Sequence, residues 1–459
     1  MADFIPETTI LELGAEFFDP VEAAPFPHTI LRFRNDRAAE QVGLAGLSDE
    51  QWLQHFGRFV PLPGSLTGPL ALRYHGHQFR TYNPDLGDGR GFLFAQCRDD
   101  QGRLMDLGTK GSGTTPWSRM GDGRLTLKGA VREILATEML EALGVATSRT
   151  FSIIETGEKL IRSDEPSPTR AAVLVRLNHS HVRYGSFQRQ AFHQNREGLT
   201  KLVDYSLSHL APDATGPTPV AALVDHAVKG AARMAAQYMA AGFVHGVLNT
   251  DNINITGESF DYGPWRFAPA WDAGFTAAYF DHSGLYSFGR QAEALQWNLY
   301  QLGSALRLIA DTDELKGPLE TYPLRYRAAL SDAVLGRLGV KRLGPSEDEV
   351  LVEAIQKALV TTQMDPDRFF FDWRGGVRRG ASVADPHYSH DGFTDFLALT
   401  PDFAAGAPSH TYWSDDAPCT MLIDEVEALW APIAERDDWA PLHTKIAAIR
   451  RMGEAHAQS

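Results

Sequence analysis

The sequence predicts an α+β protein of two lobes, an N-terminal one rich in sheet with one key helix and a larger, helical C-terminal one. Two changes of texture predict it. From about Phe56 to Arg183 the chain is rich in glycine and in short apolar runs; after about Glu197 apolar residues recur mostly at helical spacing. Two such halves bury their apolar faces separately and leave a cleft between them. The expected divisions are an N-terminal extension at 1–55, the sheet lobe at 56–196, and the helical lobe with a C-terminal extension at 197–459.

The elements follow in order. Phe92–Gln96, Leu104–Lys110, Phe151–Glu155 and Ala171–Leu177 are short apolar runs bounded by turn residues and read as strands. Leu125–Leu143 interrupts them: Leu127, Val131, Ile134, Leu135, Met139 and Leu143 fall on one helical face, and Gly144 stands as the C-terminal stop. Further on, Ala221–Ala241, Ala292–Ala310, Leu324–Leu338, Glu347–Thr361 and Ile423–Ile433 carry the same periodicity. Pro212–Pro219 and Ala404–Ser409 read as surface loops.

Composition excludes several classes. The 459 residues are 43% hydrophobic, enough for a sizeable core, and the net charge of −15 opposes adhesion to nucleic acid or an anionic membrane surface. The most apolar long segment, Ala227–Leu248, is broken by Lys229, Arg233 and His245, so no membrane span is expected. Cys97 and Cys419 cannot make a disulfide framework, and the N-terminus has no basic flank before an apolar run; the cytoplasm is the expected location.

Chemistry gathers in the first two-thirds. Asn83–Gly91 (NPDLGDGRG) precedes a strand, and its glycines either make an ordinary turn or let backbone amides approach a polyanion. Lys110 ends the next strand, and Glu133 lies 23 residues on in the amphipathic helix. A strand lysine held by a helix carboxylate is how kinase-like folds present the lysine to phosphates. Between them Gly111–Arg124 packs four glycines and two arginines into fourteen residues, a connection too long and polar to be ordinary. Arg176 closes a strand and Arg183 follows seven residues later, both suited to phosphate oxygens or to structural ion pairs. His75 with His77, and His179 with His181, are pairs that could face a metal together, but spacing places no third ligand.

The most specific stretch is His245–Phe260 (HGVLNTDNINITGESF), followed by Asp261-Tyr262-Gly263. A kinase catalytic loop reads H-R-D-L-x-x-x-N, with its metal-binding aspartate in D-F-G. His245, Leu248 and Asn252 keep those positions, so Asn252 and Asp261 read as ligands for a hard cation bridging phosphates. Val247, however, occupies the place of the catalytic carboxylate and cannot take a proton; Asp251 is the nearest acid.

LRYHGHQF, NPDLGDGR, DLGTKGSGTTPWSRMGDGR with VREIL, and HGVLNTDN followed by DYGPW resemble the selenoprotein O (SelO/YdiU) family of protein adenylyltransferases, from about Pro27 to about Gly303. The resemblance implies a protein-kinase-like bilobal fold that binds ATP end for end and transfers AMP to Ser, Thr or Tyr hydroxyls of proteins; the protein itself is one candidate acceptor. It implies that Gly87, Gly89 and Arg90 contact nucleotide, that Lys110 binds phosphate steadied by Glu133, and that Asp122 and Gly123 line the site. Arg176 and Arg183 would hold the outer phosphates, Asp251 would accept the proton, and Asn252 with Asp261 would bind Mg2+ or Mn2+. His75 and Arg80 depart from the family, which has a small residue and a glycine there, and the terminal MGEAHAQS lacks the cysteine or selenocysteine of many members. Kinase-type phosphoryl transfer with Asp251 as a displaced base, and a non-catalytic nucleotide-binding scaffold, are the alternatives.

Overall fold

The computed structural model describes residues 3–458. The N-terminal half supplies strands β1 (Ile5–Glu7), β2 (Phe18–Pro20), β3 (Ile30–Arg34), β4 (Leu70–Leu72), β5 (Gly76–Gln78), β6 (Thr81–Asn83), β7 (Leu93–Arg98), β8 (Leu104–Lys110), β9 (Leu125–Thr126), β10 (Arg149–Leu160) and β11 (Thr169–Asn178). Nine of these form one sheet whose main path is β2-β4-β7-β8-β11-β10-β3, with β1 on β7 and β9 on β11; β5 and β6 pair with each other as a separate hairpin. Residues 3–55 therefore contribute three strands of that sheet, together with helices α1 (Asp36–Gln41) and α2 (Asp49–Phe56).

Alternation along β11 explains why both faces of the sheet are covered. Val173 and Val175 face an aromatic cluster of Trp52, Phe56, Phe94 and Phe151, whereas Ala172 and Leu174 join the core beneath α3 (Leu127–Ala142). The helix is capped at both ends: the Thr126 side chain accepts a hydrogen bond from the Gly129 amide, and Gly144, with φ of 79°, follows its end as expected. It is two residues shorter at its start than the periodicity suggests, because Leu125 and Thr126 pair with β11 as β9.

The C-terminal half is helical, built on α4 (Tyr184–Phe192), α5 (Arg196–Tyr205), α6 (Pro219–Ala241) and α7 (Gln291–Leu306), with later helices at Tyr322–Leu338, Pro345–Thr362 and Ile423–Arg436. A two-stranded ribbon, β12 (Phe243–Val244) with β13 (Arg266–Phe267), brackets the loop that carries the catalytic-type motif. The final helix, Ala440–Ala457, returns to the sheet lobe and lies on α3: a side chain at Gly453 would meet Ala142 at 3.2 Å, and Arg450 grips buried Glu138 at 2.6 and 2.8 Å. Among the described residues no helix is long and apolar enough to cross a membrane.

Candidate active site

Between the lobes lies a cleft of about 690 Å³. Gly87, Gly89, Arg90, Lys110, Asp122, Gly123, Arg176, Arg183, Asp251, Asn252 and Asp261 all line it. Glu133, the remaining residue singled out from sequence, stands behind Lys110 on α3 and is buried.

The floor is an ion-pair network. Lys110, at the end of fully buried β8, contacts the Glu133 carboxylate and lies 2.8 Å from Asp261 Oδ1; Arg176, near the end of β11, has its Nη1 3.6 Å from the same oxygen. Asp261 holds a left-handed backbone, φ 64°, which is uncommon for a side-chain-bearing residue but more accessible to aspartate than to most. Burial opposes its charge, but Lys110, Arg176, Arg90 and Arg183 outweigh burial and keep its carboxyl well below the usual range. His245 braces the segment from within, its Nε2 donating to the Phe260 carbonyl at 3.0 Å.

At the deep end, where β11 gives way to the connection between the lobes, two guanidiniums are almost fully buried. Arg183 donates to the Tyr74 hydroxyl at 3.1 Å and to the Asp251 carbonyl at 3.0 Å, and pairs with Asp88 at 3.1 Å. Its charge lies over the rings of Tyr74 and Phe260, and that of Arg176 over Phe260. Nε and Nη1 of Arg176 and Nε of Arg183 are buried without a hydrogen-bond partner. Buried donors are nearly always satisfied, so these three are available to acceptors that enter the cleft.

Asp251 is 7% exposed, in a short helical turn at Thr250–Asn252. Burial, only partly offset by Arg183, pushes its carboxyl up to about 7, and Oδ1 has no hydrogen-bond partner. The neighbouring Asn252 donates from Nδ2 to the Val247 carbonyl at 3.1 Å, which turns Val247 from a chemical group into a backbone anchor. Asp122 is held at the rim by Arg162 at 2.8 Å.

Sequence reasoning did not single out Trp117, Asp88 or Tyr74. The glycines at 87 and 89 are required by packing: a Cβ at either would fall within 2.8 Å of Trp117, whose indole donates to Asp19. Trp117 lies in the long polar connection, where a lone tryptophan between Pro116 and Ser118 was the available signal. The histidine pairs are engaged within the protein, His75 with Tyr82, His77 with Gln188, His179 with the Leu104 carbonyl and His181 with Asp106. Cys97 and Cys419 are free thiols whose pKa values burial raises, which makes them poor nucleophiles.

A strand lysine held by a helix glutamate, a His-to-Asn loop and an aspartate just beyond it define a kinase-like, nucleotide-binding protein. Comparison with known proteins narrows the class. A model of the family "Protein adenylyltransferase SelO" matches residues 3–386. A protein nucleotidyltransferase YdiU of Synechocystis is 42% identical over 470 residues, covering 97% of each chain, and one of Gloeobacter violaceus is 43% identical over 462 residues, covering 97% of this chain and 95% of its own. The chain belongs to the SelO family. A solved structure, the kinase-fold virulence factor ROP2 of Toxoplasma gondii, is 13% identical over 74% of this chain with a TM-score of 0.27, an overlap too slight to bear on the site.

Proposed function

We propose that the protein, an adenylyltransferase by family, transfers AMP from ATP to a Ser, Thr or Tyr hydroxyl of a protein with Asp251 as the proton acceptor. The observation that carries this reading is the cationic deep end of the cleft. A purine seated there would offer the buried donors of Arg176 and Arg183 only a few neutral ring nitrogens and leave two guanidinium charges unmatched, whereas the β- and γ-phosphates would supply several anionic oxygens. A triphosphate entering tail first presents its α-phosphorus toward Asp251. The acceptor oxygen then forms a bond to that phosphorus as the bond to the bridging β-oxygen breaks. The departing electron pair leaves on pyrophosphate, and the hydroxyl proton passes to Asp251 Oδ1, the oxygen without a partner.

Asn252 and Asp261 offer hard oxygen donors, and Asp261 is held charged, so the pair fits a divalent cation, Mg2+ or Mn2+. When bound, such an ion neutralises charge on the triphosphate. Gly87, Gly89, Arg90, Asp122 and Gly123 would bound the nucleoside side of the cleft, and Lys110, oriented by Glu133, would meet a phosphate oxygen.

The test uses ATP labelled at either end. Label at the α-phosphate should move to protein, with an intact-mass gain of one AMP, and label at the γ-phosphate should not. Transfer of γ-label would make the protein a phosphotransferase, and transfer of neither, a nucleotide-binding scaffold.

A further inference from the structure

The hairpin β5–β6 stands apart from the main sheet and touches the loop that carries Asp251. The His77 amide donates to Thr250 Oγ1 at 2.7 Å, and the Phe79 amide donates to Asn249 Oδ1 at 3.0 Å. Thr250 in turn donates to Gln188 Oε1 at 2.6 Å, and Gln188 Nε2 lies 2.7 Å from His77 Nδ1. His77, Gln188 and Thr250 therefore close a ring of three hydrogen bonds around the residue before Asp251. Asn249 Oδ1 is also held by the Tyr286 hydroxyl at 2.8 Å.

Gly76 opens the hairpin against Asp251 itself. A Cβ at Gly76 would lie 2.8 Å from Asp251 Oδ1 and 3.0 Å from Asp251 Cβ. Its φ is not left-handed, so contact with Asp251, and not backbone conformation, requires glycine there. The tip is unusual in the opposite sense. Phe79 and Arg80 both have left-handed backbones, φ 49° and 64°, in a two-residue turn whose geometry favours asparagine and glycine. Arg80 tolerates that conformation while its guanidinium reaches α7, 3.0 Å from Glu293 and 5.5 Å from the Trp297 ring. Strain held by a specific contact is characteristic of a functional position.

We infer that the hairpin Gly76–Asn83 is a positioning clamp for Asp251, with Gly76 setting the place of the carboxylate and Arg80 latching the tip to α7. The inference rests on Asp251 being the proton acceptor. Arg80 and Gly76 are positioning residues, acting through the loop they hold.

The experiment compares Gly76→Ala, Arg80→Gly and Asp251→Ala by transfer from α-labelled ATP into the proteins of a cell lysate, by ATP affinity, by thermal unfolding and by amide hydrogen exchange. Gly76→Ala should lower kcat about 100-fold with ATP affinity unchanged, the loss that a displacement of about 1 Å at a reacting group can produce. Arg80→Gly should lower it by roughly tenfold. In that variant the turn gains the residue its backbone favours and loses an ion pair whose side chains are 39% and 54% exposed together with one cation–ring contact at the surface, so the melting temperature should change little. The His77 and Phe79 amides should exchange faster. Wild-type kcat in folded Arg80→Gly, or a fall of ATP affinity in step with kcat, overturns the clamp; if Gly76→Ala does not fold, Arg80→Gly decides alone. Turnover retained in Asp251→Ala would instead remove the acceptor assignment, and the clamp with it. An inactive Asp251→Ala beside a fully active Arg80→Gly removes the clamp only.

Discussion

Asp251 and Asp261 share one cleft, yet the protein drives their carboxyls in opposite directions. Asp261 faces Lys110 at 2.8 Å and Arg176 at 3.6 Å, and four cationic side chains overcome burial to keep it charged. Asp251 meets Gly76 and carries an oxygen without a partner, so burial dominates and its carboxyl rises to about 7. In the proposed reaction, two acids pushed apart in this way would divide the roles: one would stay an anion suited to a cation, and the other would take a proton near neutral pH.

Substitution breaks the comparison most directly. Asp251→Ala should lower transfer by about 10²–10⁴-fold, the usual contribution of a general base, while ATP still binds as measured by calorimetry. Asp261→Ala should weaken ATP binding in the presence of Mg2+ as well, by at least the roughly 10–100-fold that lost support at a metal site costs. Equal loss of ATP affinity in both variants would show that the two carboxylates do one job.

The next effect is read from pH. Asp251 must be deprotonated to accept a proton, so kcat/KM should rise about tenfold per pH unit up to about 7 and then level off. Asp261, held well below the usual carboxyl range, stays charged throughout that window, so ATP affinity should not follow the same curve. A flat rate profile across about pH 6 to 8 would mean that the Asp251 carboxyl is not the titrating group.

Local pattern in the sequence foretold the parts of this cleft that local pattern builds. β8 runs from Leu104 to Lys110 as its apolar run suggests, α3 stops before Gly144 as its periodicity suggests, and the loop from His245 to Asn252 keeps its spacing. Family resemblance supplied roles for single residues such as Arg90 and Asp122, which spacing alone does not distinguish from surface charges. What stayed illegible depends on distant partners. β1 and β2 are three residues each and owe their order to pairing with β7 and β4, leaving no periodicity to read. The hairpin at Gly76–Asn83 was hidden for a related reason. Its turn is Phe-Arg, without the Asn-Gly signature, and its hydrogen bonds reach residues 249 and 250 across the sequence.

The smallest predicted effect concerns the cationic side of the comparison. Lys110 is shared between Glu133 and Asp261, so Glu133→Ala leaves the ammonium one partner at 2.8 Å, a carboxylate whose side chain is 22% exposed. Removing one member of a buried pair outright costs about 3–5 kcal/mol, because the remaining charge is orphaned. Here the charge is not orphaned, and the loss of unfolding free energy, measured in denaturant, should fall below that range. Released from α3, Lys110 can follow Asp261, so turnover should drop less than in Asp261→Ala while the pH at which the rate levels off stays near that of the parent protein. A full 3–5 kcal/mol loss would mean that Asp261 does not hold Lys110 by itself. The charged state of Asp261 would then depend on α3 as much as on the arginines around it.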